Sequence, residues 1–269
     1  MMSLDNTLWL VGILTEAVVV GLLVYRRVWR LLPVFCIYCA WDVLSNAEGF
    51  ASSHIFKLSY SNYIFTYLIQ TVIDSVLQFC VLVELMWSVL RPIRNSLPRF
   101  TFVTLAALIL AVGAVIWPFA ALAGLAQQPP NVLLAVHLQQ TTSILRILLF
   151  LGMAGCSQLL SIGWRDRELQ VATGLGVYSL VSVGVTMIQT HQSTGAHGSQ
   201  YAHLNQFVVA SFLCSLLYWV FSFAQKEAER REFTPQMQNL LLAVAGVARA
   251  ERTALTTSSR TGTEQRNKQ

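Results

Sequence analysis

The sequence predicts an all-α, polytopic membrane protein built as a seven-helix bundle, and three observations lead to this prediction. The chain of 269 residues is 55% hydrophobic and only 12% charged, whereas a soluble domain carries about a quarter charged residues. Its apolar residues are gathered into runs of membrane-spanning length, and its basic residues are concentrated in alternate loops. The composition excludes a disordered chain, which is poor in apolar residues. It also excludes a disulfide-stapled secreted module, because five cysteines are few and odd in number.

Seven apolar runs are long enough to cross a hydrocarbon core of about 30 Å, which takes about 20 residues of helix. They occupy residues 8–25, 31–48, 63–90, 102–125, 132–157, 169–190 and 204–223. Strands of a membrane β-barrel alternate apolar with polar residues over about ten positions, and no run in this sequence does so. We therefore assign residues 1–223 to a transmembrane helical domain in the lipid bilayer.

Basic residues indicate how the bundle is oriented. They follow the first, third and fifth spans and open the tail: Arg26, Arg27, Arg30, Arg91, Arg94, Arg99, Arg165, Arg167, Lys226, Arg230 and Arg231. The intervening loops offer one basic residue, Lys57. By the positive-inside rule, the N-terminus is predicted to lie outside and the C-terminus in the cytoplasm. Topology thus explains the net charge of +5, and no nucleic-acid partner is predicted.

The tail changes character after the last span. Residues 224–252 begin as a charged helical stalk, and Thr234-Pro235 then fits an N-cap followed by proline at the first helical position. Apolar residues recur at helical spacing beyond it: Met237, Leu240, Leu241, Val244 and Val247. We expect an amphipathic helix that lies on the inner leaflet or binds a cytoplasmic partner. Residues 253–269, rich in Thr, Ser, Gln and Arg, are predicted to be disordered.

Four ionisable residues fall near the middle of the spans, and each costs at least a few kcal/mol in a bilayer. Polar residues at helical spacing accompany them on the third and fifth spans. We therefore predict one buried cluster that binds a ligand or protons. Its members are Glu16, Asp42, Asp74, Arg146, Gln70, Gln78 and Gln139.

The charges in this cluster do not balance. Arg146 keeps its charge and is expected to pair with one or two of the three acids. At least one acid is then expected to hold a proton or to balance a bound cation, because an unpaired carboxylate is costly away from water. The alternative is a buried polar network that only fixes the register of the helices.

Other candidate sites carry weaker patterns. His191, His197 and His203 lie toward the predicted outer side, but their spacing matches no zinc signature. Cys36 and Cys39 lie inside an apolar span, where cysteines behave as small hydrophobic residues. Retinal needs a lysine in the last helix, and that span has none. No metal or other cofactor is predicted.

One stretch carries a resemblance. Residues 26–38 read Arg-Arg-Val-Trp-Arg-Leu-Leu-Pro-Val-Phe-Cys-Ile-Tyr, and the polar-faced third span and Arg91-Pro92 follow. Over about the first hundred residues the chain resembles a group of uncharacterised bacterial seven-helix membrane proteins. The resemblance implies a location in the bacterial inner membrane and no activity.

These observations favour a non-enzymatic protein, since no nucleophile with its base and no HExxH motif occurs. We predict a receptor or sensor that binds a small ligand, or responds to protons, and signals through its tail. A proton- or cation-coupled transporter is the first alternative, although no proline interrupts the middle of a span as broken carrier helices require. A structural subunit of a membrane complex is the second, and an oligomer is compatible with each.

Overall fold

In the computed structural model, which describes residues 4–51, 60–90, 100–120, 130–155, 166–192 and 198–225, the chain forms seven α-helices. They are α1 (Leu4–Tyr25), α2 (Pro33–Ala51), α3 (Tyr60–Val89), α4 (Thr101–Ile116), α5 (Pro130–Gly155), α6 (Arg167–Gln192) and α7 (Gly198–Ala224). The described residues contain no strand, so the predicted all-α class is confirmed.

Six of these helices are long and apolar enough to cross a membrane, and α2 is not among them. The faces of the bundle are arranged for lipid. Leu14, Val115 and Phe221 are 66%, 67% and 71% exposed, whereas the charged Glu16 and Arg146 are 3% and 4% exposed. A surface that is apolar over this extent needs an apolar solvent. The chain is thus a multi-pass membrane protein.

The helix ends differ from the predicted spans where proline intervenes. The fourth helix ends at Ile116 and continues only as a 3-10 turn, Trp117–Ala120, instead of reaching residue 125. Pro118 lacks an N–H, so it cannot donate the next hydrogen bond of the helix. The second helix begins two residues later than predicted, at Pro33, because a 3-10 turn at Val28–Arg30 precedes it.

Six helices form a closed ring. Neighbours around it are α1, α2, α3, α5, α6 and α7, and α7 packs back on α1. The remaining helix, α4, lies outside the ring against α3 and α5. The most apolar helix is therefore excluded from the bundle interior, as expected where lipid competes equally well for its side chains.

An apolar core fills one end of the ring, where α1, α3 and α7 end and α2 and α6 begin. We call it the closed end. Its fully or almost fully buried side chains include Leu23, Leu32, Phe35, Leu85, Leu169, Trp219 and Phe223. The Phe35 ring packs edge-on against Trp219, with centroids 5.2 Å apart, and against Phe223 at 6.2 Å.

Hydrogen bonds between helices join the polar groups of the closed end. The two carboxylate oxygens of Glu84 on α3 accept from the backbone N–H groups of Val34 and Phe35, each at 2.8 Å. They thus satisfy donors that the first turn of α2 leaves free. The Ser88 hydroxyl donates to Glu168 Oε1 at 2.7 Å.

Two arginines hold the end of α7. Arg167 on α6 donates to the carbonyl oxygens of Ser222 and Gln225, both at 2.7 Å. Arg26, just after α1, donates to the carbonyl oxygen of Ala224. The last helix ends at Ala224 and Gln225 forms a bend. The predicted stalk, amphipathic helix and disordered segment lie, beyond these two residues, outside the described part of the chain.

Candidate functional site

A cavity of about 630 Å³ lies between the six helices of the ring. Every helix of the ring contributes to its wall, and α4 contributes no residue. On α1 and α7 the lining residues fall within 8–16 and 205–213, in or just past the first half of each helix. The cavity therefore extends from the middle of the bundle toward the end at which α1 and α7 begin, opposite the closed end.

The cavity collects six of the seven residues predicted from sequence. Glu16, Asp42, Asp74, Gln78, Gln139 and Arg146 all line it. Four helices of the ring, α1, α2, α3 and α5, carry these six residues. A fifth, α6, contributes Tyr178, whose ring lies beside Arg146. Residues far apart in sequence thus meet on one wall.

Gln70, the seventh predicted residue, does not line the cavity. Its side-chain nitrogen donates to Glu48 Oε2 at 3.0 Å, in an exposed position. Helix geometry explains the difference. Positions four apart drift by about 40° around the axis, so Gln70 is rotated by about 80° from Gln78 and lies two turns away.

Two acids of the wall are bonded to amides. Asn46 on α2 donates to Glu16 Oε1 on α1 at 2.8 Å. Gln78 donates to Asp74 Oδ2 at 2.6 Å, one turn along the same helix. Each of these two pairs keeps one oxygen without a hydrogen-bond partner among the described residues. These oxygens are Glu16 Oε2 and Gln78 Oε1.

Arg146 does not form the ion pair that the sequence led us to expect. Its Nη2 donates to Ser143 Oγ at 2.9 Å, one turn earlier on α5. The guanidinium carbon lies 5.6 Å from the centre of the Tyr178 ring, within the range of a cation–π contact. Nε and Nη1 have no hydrogen-bond partner in the part of the chain that the structure describes. The three acids lie on α1, α2 and α3, and among the described side chains none is bonded to Arg146.

Asp42 lies close enough to the other charged groups of the cluster to interact with each of them. It interacts with the charges of Glu16, Asp74 and Arg146. With all four groups ionised, three negative charges face one positive charge across the cavity. Protons or a cationic group of a ligand are needed to offset the excess.

Unmatched polar atoms are concentrated around this cavity. Within the described part of the chain, buried side-chain atoms without a partner belong to Glu16, Trp41, Gln78, Thr141 and Arg146. Three of these five residues line the cavity, and none belongs to the core of the closed end. A buried polar group without a partner costs about 1–3 kcal/mol, and more when it is charged. The wall therefore contains both donors and acceptors that the described residues leave without partners.

Sequence reasoning did not select several lining residues. Tyr38, Tyr178, Asn205 and Gln206 complete the polar wall, and Phe212 contributes an apolar part. Tyr38 lies one turn before Asp42, so its spacing carried a usable signal. Asn205 and Gln206 could also have been recognised from the sequence, because they are adjacent polar residues in an apolar span. No sequence pattern pointed to Tyr178.

The other candidate chemistry is only partly described. The side chains of His191, His197 and His203 lie outside the described set. Among those that are described, no group of three His, Cys, Asp or Glu residues could hold a metal ion. Cys36 and Cys39 are free thiols.

Comparison with protein-family models, curated proteins and solved structures found no match to this chain. The resemblance to uncharacterised bacterial membrane proteins stays a prediction.

Proposed function

We propose that this protein is a non-enzymatic, receptor-like membrane protein that binds a small polar molecule in the cavity and signals through its tail. The observation that carries the proposal is the cavity wall, where three acids and Arg146 meet with donors and acceptors left unmatched. Its volume of about 630 Å³ falls within the range of small-molecule sites.

The proposal includes α2 as a seventh span. Its 19 residues cover about 28 Å at 1.5 Å per residue, close to the thickness of a hydrocarbon core. Its polar residues Asp42 and Asn46 line the cavity, whereas Ile37 and Leu44 are 58% and 65% exposed. A helix of this kind has a low mean hydropathy because one face lines a polar cavity, and its other face still suits lipid.

The arginines support an orientation with the cavity facing outward. Arg26, Arg27, Arg30 and Arg167 all lie at the closed end. By the positive-inside rule that end is cytoplasmic. The N-terminus and the cavity then face the outside of, by the resemblance noted above, a bacterial inner membrane.

The path from ligand to tail runs along α7. The first half of α7 lines the cavity through residues such as Asn205 and Phe212. Its last turn is held by Arg167 and Arg26. A ligand that favours one position of α7 over another would thereby shift the point at which the cytoplasmic tail leaves the bundle.

Thermal unfolding of the full chain in detergent tests this proposal. A library of amino acids, amines, monocarboxylates and monosaccharides is added at millimolar concentration, and a ligand is recognised because it raises the unfolding midpoint. We expect Asp42→Asn to abolish the shift and Gln70→Ala, outside the cavity, to keep it. A shift that survives both Asp42→Asn and Arg146→Gln would contradict the proposal, as would a library that produces none.

A proton- or cation-coupled transporter is the second candidate, and the excess of acids over Arg146 in the cavity favours it. Liposomes that contain the full chain and an internal pH-sensitive dye distinguish the two functions. A transporter collapses an imposed pH gradient when its solute is present, and Asp74→Asn stops the collapse. A receptor binds without flux, and a structural subunit shows neither binding nor flux.

A further inference from the structure

We infer that the ligand of this cavity is a small molecule of the amino-acid type, with its carboxylate at Arg146 and its ammonium at Asp42 and Glu16. The inference rests on the proposed function and names the ligand class for the same site. Three features of the cavity wall carry it: N–H donors of Arg146 without a partner among the described residues, a surplus of acids over this one cation, and an apolar section.

The unmatched cation requires an anionic group. Arg146 is 4% exposed, and one of its nitrogens is bonded to Ser143. Nε and Nη1, which together carry three N–H donors, have no partner. Carboxylates are the preferred partners of guanidinium. A ligand that carries only a cation or only hydroxyl groups would leave this buried charge unmatched.

The surplus of acids over Arg146 favours a cationic group in the same molecule. Among the described residues, the carboxylate oxygen Glu16 Oε2 and the amide oxygen Gln78 Oε1 have no partner, and Asp42 lies among the charges of Glu16, Asp74 and Arg146. An ammonium group offers three donors to such acceptors. A bare metal ion fits less well, because the described side chains contain no group of three ligands that could hold one.

The remaining wall is apolar and suits a hydrophobic side chain. Trp9 and Ile13 on α1 face the cavity together with Val209, Phe212 and Leu213 on α7. These residues extend from mid-bundle toward the open end of the cavity, beside the acids. An amino acid with an apolar side chain would place its charged groups on the polar wall and its side chain here.

The test uses L-leucine and L-phenylalanine as probes, each with two analogues that lack one charged group. For leucine these are 3-methylbutylamine and 4-methylpentanoate; for phenylalanine, phenethylamine and 3-phenylpropanoate. Binding to the full chain in detergent is measured by isothermal titration calorimetry. We expect at least one amino acid to bind, and its two analogues to bind more weakly by about tenfold or more, since each loses a charge-assisted contact.

Two variants assign each contact to its side chain. Arg146→Gln should weaken the amino acid by about tenfold and leave the amine unchanged. Asp42→Asn should weaken the amino acid and the amine but not the carboxylic acid. Arg146→Lys, which keeps the charge, should restore part of the affinity and guards against a variant that does not fold. Gln70→Ala serves as the control.

The outcomes separate this inference from the proposed function. If an amine binds as tightly as its amino acid and Arg146→Gln changes neither affinity, the inference is wrong. The proposed function, a cavity that binds a ligand through Asp42, is then still supported. If no amino acid or analogue binds, the inference is again wrong. The wider library then decides whether the cavity binds another class of molecule or none.

Discussion

The two ends of this bundle differ in how completely their buried arginines are hydrogen-bonded. At the closed end, Arg167 is 4% exposed and bonded to the carbonyl oxygens of Ser222 and Gln225 and to Gln170 Oε1. In the cavity, Arg146 is also 4% exposed, but among the described residues its one hydrogen-bond partner is Ser143, and two of its nitrogens have none. Both arginines lie in an apolar bundle, so burial alone does not tell a structural charge from a functional one. The bonding does.

The difference indicates that the two ends of the bundle have different roles, the closed end in stability and the cavity end in binding. The closed end has aromatic packing and helix-to-helix hydrogen bonds, which fix the relative positions of α2, α3, α6 and α7. The cavity end holds polar groups in place without satisfying them. Such sites cost stability, and native folds keep them where binding requires them. The following variants test this division from the largest expected effect to the smallest.

The two arginines give the largest contrast. Arg167→Met should lower the free energy of unfolding by about 3 kcal/mol, because the substitution leaves buried carbonyls of α7 without donors. Arg146→Met should change it by no more than about 1 kcal/mol in either direction, because replacing a poorly paired buried charge by an apolar side chain is often neutral. Unfolding by SDS in mixed micelles measures both. Equal losses would show that Arg146 also has a structural role.

Two glycines on α6 test the packing of the closed end. A methyl group at Gly174 would collide with the indole ring of the buried Trp219, whereas one at Gly184 meets nothing within 4 Å. Gly174→Ala should therefore destabilise the bundle by about 1–3 kcal/mol through overpacking. Gly184→Ala should be neutral or stabilising by up to about 1 kcal/mol, since alanine favours helix. Unfolding midpoints measure the difference, and a tolerated Gly174→Ala would mean that the aromatic core is loosely packed.

Two glutamates give a smaller contrast. Glu84→Gln should cost about 1–2 kcal/mol, because an amide accepts through one oxygen and would lose one of the two bonds to the start of α2. Glu16→Gln should stay within about 0.5 kcal/mol, since the amide oxygen still accepts from Asn46 and a buried charge is removed. Circular dichroism during SDS titration reports both. A larger cost at Glu16 than at Glu84 would reverse the proposed roles of the two ends.

Much of this fold could be predicted because a bilayer restricts the choices. The apolar runs matched the helices to within a few residues except at the end of the fourth, which ends at Ile116 just before Pro118, and at the start of the seventh, which begins at Gly198. The helix that hydropathy undervalues, α2, is the one whose polar face lines the cavity through Asp42 and Asn46. The position of α4 outside the ring could not be predicted, because lipid and protein are equally apolar partners for its side chains.

Most residues of the candidate site could be predicted from the sequence, but the contacts among their side chains could not. A charge inside a span has to face the bundle, so Glu16, Asp42, Asp74 and Arg146 were found by counting. Whether two buried charges touch depends on distances of a few ångströms across helices, which spacing along one helix does not supply. The expected pairing of Arg146 with an acid was therefore wrong, and Tyr178 was missed.

The smallest expected effect comes from two glutamines that periodicity placed on one face of α3. Gln78 lines the cavity and bonds to Asp74, whereas Gln70 bonds to Glu48 at an exposed position. Gln78→Ala should weaken ligand binding several-fold, because Asp74 loses the donor that holds it. Gln70→Ala should leave binding unchanged and lower the free energy of unfolding by no more than about 0.5 kcal/mol, as for other exposed polar contacts. Calorimetry with the amino acid that binds best measures both affinities. If Gln70→Ala weakened binding as much as Gln78→Ala, the boundary of the cavity would lie further toward the start of α3 than its lining residues indicate.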